Sequence, residues 1–155
     1  MGKEGTYLSK EIMKKKIQFF TEGIKFRIRE KSKIRSWVKE TIECEGYGQG
    51  NLNIVLCNDQ YLQGLNHKYL KSKLLTDILT FNFSENNQEI DGEIYISVDR
   101  VRENAQLFRQ TMKEELNRVI IHGVLHLMGY NDHKEAEVVI MRKKEDFYLE
   151  EIKRK

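Results

Sequence analysis

The chain has 155 residues and a mass of 18.5 kDa, the length of one domain. A hydrophobic fraction of 39%, a charged fraction of 33% and a mean hydropathy of −0.63 describe a polar globular protein, and seven Phe with seven Tyr argue against disorder. No apolar run approaches the roughly 20 residues of a membrane span, which excludes a membrane protein.

Residues 1–39 hold 12 Lys and Arg against 4 Asp and Glu, whereas residues 40–155 hold 15 against 20. A basic leading segment on a mildly acidic body suits contact with a polyanion or a solvated tail. Cys44 and Cys57 form no framework and no C-x-x-C pair, so a reducing, cytoplasmic compartment is expected.

In chain order, residues 1–16 lack periodicity and read as a loosely held basic extension, leaving residues 17–155 as the domain. Residues 17–20 and 24–28 read as extended. Ile34, Trp37, Val38 and Ile42 recur at helical spacing. Gly46, Gly48 and Gly50 mark a loop, and Leu52, Ile54 and Leu56 then alternate as a strand. Leu62, Leu65 and Tyr69 restore a helical stripe. Leu79, Phe81 and Phe83, then Ile94, Ile96 and Val98, form two strands joined by a turn at Asn86-Asn87. Val101, Ala105, Phe108 and Met112 predict another helix.

Thr111 with Glu114 three residues on has the form of a capping box, and a helix apolar on nearly every face runs from there to Met128, where Gly129 ends it. A last amphipathic helix would turn Val139, Ile140 and Phe147 inward. The expected fold is a single α+β domain: a small mixed sheet packed with helices, and a central buried helix. Trp37 and the other aromatic residues read as packing, and Asp77 as a turn or capping residue.

Three of the four histidines fall within residues 122–133. At 3.6 residues per turn, His122 and His126 project from one helix face, the geometry in which two imidazoles chelate one ion. Buried imidazoles otherwise need partners, so the alternative is a pair of satisfied core histidines. The chain must turn at Gly129, which brings either Asp132 or His133 back as a third ligand. Three protein ligands leave a position for water, whose pKa a zinc ion lowers to about 7. Metallopeptidases with similar spacing carry a glutamate directly after the first histidine as general base. Here that position is Gly123, which argues against proteolysis.

Read together, these residues resemble the YbeY family of metal-dependent bacterial endoribonucleases. Its signature is similar to H-G-x-L-H-L-x-G-Y-D-H, whose first nine positions residues 122–130 reproduce. Leu65-Asn66 with Tyr69, then Thr76-Asp77-Ile78-Leu79-Thr80-Phe81, resembles a second block, and Gly92-Glu93-Ile94-Tyr95-Ile96-Ser97 a third. The likeness spans roughly residues 50–148.

The resemblance implies one Zn²⁺ per chain. It also implies single-strand-type cleavage of ribosomal RNA during maturation and quality control, with the small ribosomal subunit as partner and neither membrane nor DNA expected. Without gaps, the family's third ligand falls on Asp132, and Met141 keeps the downstream register, favouring Asp132 over His133. Leu70 stands where the family places an arginine thought to serve cleavage. Lys68, Lys71 and Lys73 are the nearby cations that would contact substrate in its stead, the alternative being a solvated face. The alternative is a ribosome-associated zinc-binding module with reduced or no catalysis.

Overall fold

The computed structural model describes residues 14–70 and 76–155. Strand β1 (Ile17–Thr21), helix α1 (Lys31–Cys44) and strand β2 (Gly48–Cys57) make a parallel βαβ unit. Helix α2 (Asp59–Leu65) runs into a π-helical turn (Asn66–Leu70). Strands β3 (Ile78–Asn82) and β4 (Glu89–Ser97) follow, then helices α3 (Val98–Leu107), α4 (Met112–Leu127) and α5 (Glu135–Lys153). The sheet order is β1-β2-β4-β3, with β3 alone antiparallel to its neighbour. This is the α+β domain with a mixed sheet that the sequence predicts.

The two inner strands carry the most buried side chains. Leu52, Ile54, Leu56, Ile94 and Ile96 are fully buried beneath α1, α4 and α5, the main core. A smaller cluster of Cys57, Leu62 and Leu79 lies under α2. The helical stripe of α1 is buried as expected, and the Trp37 indole N–H donates to the Tyr148 carbonyl at 2.7 Å, tying α1 to α5.

Four expectations change. Gly48 and Gly50 lie in β2, not in a loop: lacking side chains, they hide the period of two while their backbone pairs with β4. Lys15 and Lys16, read as part of a loose extension, are fastened to the sheet. The Lys16 carbonyl accepts from the Leu52 N–H at 3.0 Å, its N–H donates to Asn51, and Lys15 pairs with Glu89. Residues 1–13 lie outside the described residues. Phe108 and Met112 do not extend α3, which ends at Leu107; Met112 opens the next helix.

The largest correction concerns α5. Val139, Ile140 and Phe147 are about half exposed, and the inward face is Met141, Glu145, Tyr148, Leu149 and Ile152. Two polar groups, the Glu145 carboxylate and the Tyr148 hydroxyl, occupy positions that an apolar stripe alone does not reveal.

Helix α4 crosses the sheet at Gly123. A Cβ built there would sit 2.7 Å from Ile78 Cδ1 and 2.8 Å from Ile94 Cγ2, so the absent side chain sets the helix–sheet distance. Alanine improves helix propensity by ~1 kcal/mol, whereas overpacking a closed core costs about 1–3 kcal/mol. Gly123→Ala is therefore expected to lose up to about 2 kcal/mol of stability, measured by urea unfolding; a gain in stability would show that the contact yields freely.

Candidate metal centre

The capping box at Thr111 is present in full: its side chain accepts from the Glu114 N–H at 3.1 Å and Glu114 reaches back to the Thr111 N–H at 3.4 Å. At the other end, the Gly129 N–H donates to the His126 carbonyl and the Tyr130 N–H to the Leu125 carbonyl. That pair of bonds is a Schellman closure, with Gly129 at φ 99 supplying the left-handed residue. The closure reverses the chain and sets Asp132 over the last turns of α4.

His122 Nε2 and His126 Nε2 lie 2.9 Å apart, and Asp132 Oδ2 lies 3.3 and 3.5 Å from them. All three donor atoms fall within 4.8 Å of one another. Zinc–ligand bonds of ~2.0–2.1 Å in a tetrahedron give donor separations of about 3.3 Å, so this set fits one such ion. His133 is exposed and stands outside the group. Lys68 is exposed in the π-helical turn, its Nζ 5.2 Å over the Tyr69 ring, and does not line the cleft beside the histidines. Lys71 and Lys73 lie outside the described residues, and so does the question of what they touch.

The sequence reading missed Glu145. Its Oε2 stands 2.6 Å from His122 Nδ1, and its Oε1 accepts from Arg118 Nη1 at 2.9 Å, while Arg118 Nη2 reaches Asp146 at 2.9 Å. An ionised carboxylate only accepts, so Nδ1 carries the proton and a neutral His122 turns its Nε2 lone pair toward Asp132 and His126. Burial disfavours a charged His122, but the bond and charge of Glu145 outweigh it and raise its pKa above the ordinary value. Burial, then the neighbouring His122 charge, lowers that of His126. Burial pushes Glu145 upward, yet His122 and Arg118 hold it below the usual carboxylate range. A charge on the core stripe Met141-Glu145-Leu149 was the available signal.

A second carboxylate clasps the turn. Glu45, at the end of α1, accepts from the Tyr130 hydroxyl at 2.6 Å, from Lys144 Nζ at 3.0 Å and from the Tyr148 hydroxyl. The Tyr47 hydroxyl donates to the Met128 carbonyl at 3.3 Å. The chain that leads to Asp132 is thus held by α1 and α5 as well as by its own glycine.

An α+β domain whose buried helix presents two histidines and whose following turn returns an aspartate has a donor set compatible with a metal ion. A family model described as endoribonuclease YbeY matches residues 16–153, nearly the whole chain. The chain is 44% identical over 133 residues to an endoribonuclease YbeY of Cytophaga hutchinsonii, covering 86% of this chain and 93% of the relative. It is 46% identical over 127 residues to that of Flavobacterium psychrophilum, covering 82% and 90%. The solution structure of TM1509 from Thermotoga maritima superposes with a TM-score of 0.58 at 32% identity over 88% of each chain. This chain belongs to the YbeY endoribonuclease family.

Burial pushes the Glu45 carboxyl up, but the hydrogen bonds from Tyr130, Tyr148 and Lys144 prevail and lower it. A lowered folded-state pKa contributes stability above the unfolded value, ~4.3, that is lost as the pH falls through the folded one. Glu45→Gln is expected to cost about 1.5–3 kcal/mol at pH 7, with the gap from wild type shrinking below about pH 4. Urea unfolding at both pH values measures it; a gap independent of pH would show that charge is not what holds the clasp.

Proposed function

We propose that the protein is a zinc-dependent endoribonuclease of ribosomal RNA maturation and ribosome quality control. In this reading residues 17–155 form the catalytic domain and act in the cytoplasm on single-stranded segments of small-subunit RNA. What carries the reading is the convergence of His122, His126 and Asp132 donor atoms within 4.8 Å in a chain of this family.

His122, His126 and Asp132 would hold the ion. When bound, zinc supplies Lewis-acid polarisation of a phosphoryl oxygen and lowers the pKa of water. The chain's own residues do the rest. Glu145 fixes the His122 tautomer and ring plane, Arg118 fixes Glu145, and Glu45 fixes Tyr130 and with it the turn to Asp132. Gly123 offers no side-chain base, which separates this site from a peptidase's. Lys68, and in sequence Lys71 and Lys73, supply positive charge for the RNA backbone, while Leu70 brings none. That leucine is the observation behind a second reading, a ribosome-associated zinc-binding module with reduced catalysis.

The deciding experiment incubates wild type, His126→Ala, Asp132→Ala and His133→Ala with immature small-subunit RNA, free and in ribosomal particles, and maps the new ends. Cleavage is expected from wild type and His133→Ala and is expected to fall at least ~100-fold in the other two, in line with loss of a metal's transition-state stabilisation. Particle binding by wild type without any cut would favour the binding module. Cleavage lost in His133→Ala but kept in Asp132→Ala would exchange the third ligand.

Zinc affinity tests the support. Glu145→Gln keeps the shape beside His122 Nδ1 but removes the charge, and zinc binding is expected to weaken about 10–100-fold, the usual cost of losing such an outer partner. Competition with a chromophoric chelator reads this directly, and unchanged affinity would mean that the His122–Glu145 bond serves packing alone.

A further inference from the structure

Beside the histidines lies a cleft of about 410 Å³, roomy enough for a small ligand, bounded by the end of α3, one face of α4 and α5. Glu115, Arg118 and His122 share that face of α4. The Glu115 carboxyl group is the anomaly. The residue is only 4% exposed, yet its Oε2 has no hydrogen-bond partner among the described residues. A buried carboxyl oxygen left unpaired costs free energy that a bound donor would recover.

Arg118, three residues on along the same helix face, is engaged by Glu145 and Asp146. Asp77 lines the same cleft and adds acceptor oxygens. A floor of carboxyl groups repels phosphate and takes N–H donors. At the rim the chemistry changes. Phe108 is 58% exposed at the mouth, and Arg109 behind it holds a left-handed φ of 55, reversing the chain at once. Arg142 also lines the cleft, largely exposed, with one guanidinium nitrogen 3.6 Å from Glu145 Oε1 and the rest of the group open to solvent. An aromatic face, a rim cation and an acceptor floor together match a nucleobase with its backbone outside.

We propose that this cleft seats one base of the RNA strand next to the His122–His126–Asp132 cluster, with Phe108 against its face and the Glu115 carboxyl group accepting from its amino edge. The inference rests on the reading of the protein as an RNA-cutting enzyme and adds the substrate's local identity. Cytosine offers an amino group where uracil turns a carbonyl oxygen, so the site selects cytosine over uracil. Glutamine in place of Glu115 presents a donor as well as an acceptor and loses that selection.

The test is fluorescence anisotropy of zinc-loaded protein with fluorescein-labelled decamers of cytidine or uridine, the strands checked intact afterwards. Wild type is expected to bind the cytidine strand about 10-fold tighter. Glu115→Gln should bring the two within about twofold, and Phe108→Ala should weaken both by a similar factor of about 5 without changing their ratio. Equal binding of both strands by wild type, or a ratio that survives Glu115→Gln, overturns the proposal. Should Glu115→Gln fail to fold, the wild-type ratio and the exposed-site variant Phe108→Ala decide it. Cleavage of small-subunit RNA is followed in parallel: cutting without base preference removes the subsite and leaves the nuclease reading, whereas neither binding nor cutting removes both.

Discussion

Helix α4 is sealed against the sheet along one side and between α3 and α5 along others, yet it turns inward two imidazoles, a guanidinium and the Glu115 carboxyl group. Burying those groups unpaired would cost more than the domain's net stability. The surrounding structure is arranged around that constraint. Gly123 lets the helix lie against Ile78 and Ile94, and this closeness fixes which face looks away from the sheet. On that face His122, Arg118 and Glu115 recur at helical spacing. α5 answers His122 and Arg118 with Glu145 and Asp146. The helix that brings the candidate ligands therefore depends on another helix for their charge balance.

The turn after α4 is held in the same manner. A Schellman closure needs only Gly129, but Tyr130 is also drawn to Glu45, which sits 85 residues earlier in the chain. Lys144 and Tyr148 on α5 converge on the same carboxylate. Glu45 and Glu145 thus play matching parts at the two ends of the site. Each is nearly buried, each is held ionised by donors that outweigh its burial, and each links α5 to an element that carries or leads to a candidate ligand. Such long-range partners stabilise the arrangement only once the domain has folded, so the geometry of the site is a tertiary property rather than a helical one.

This division explains what could be read from the sequence. Local signals transferred well: the capping box at Thr111, the terminating Gly129, the stripe of α1 and the alternation in β2 and β4 are set by neighbours within a few residues. The histidine pair was legible because 3.6 residues per turn is a fixed rule. Glu145 was not, because a charged residue at a core position reads as a break in the stripe until its partners on α4 are known. The same blindness turned Val139, Ile140 and Phe147 inward on paper, although the structure leaves them half exposed. Gly48 and Gly50 failed for the opposite reason, having no side chain with which to show a period.

The donor set has a consequence for where RNA is attracted. Three neutral imidazoles would leave a divalent ion's charge intact, but Asp132 offsets one unit and Glu145, through His122, offsets part of another. A cation held there would attract a phosphate less strongly than in an all-histidine site. Leu70 contributes no compensating charge, and the neighbouring cleft presents Glu115 and Asp77. In the proposed reading, phosphate attraction would then come from the rim, where Arg142 is exposed although 3.6 Å from Glu145, and from the lysines that follow α2 in sequence. In that reading the centre would polarise and the walls recognise, with backbone and base addressed by different parts of the surface. Salt should weaken capture of the strand by screening the rim cations while leaving hydrogen bonding in the cleft largely intact.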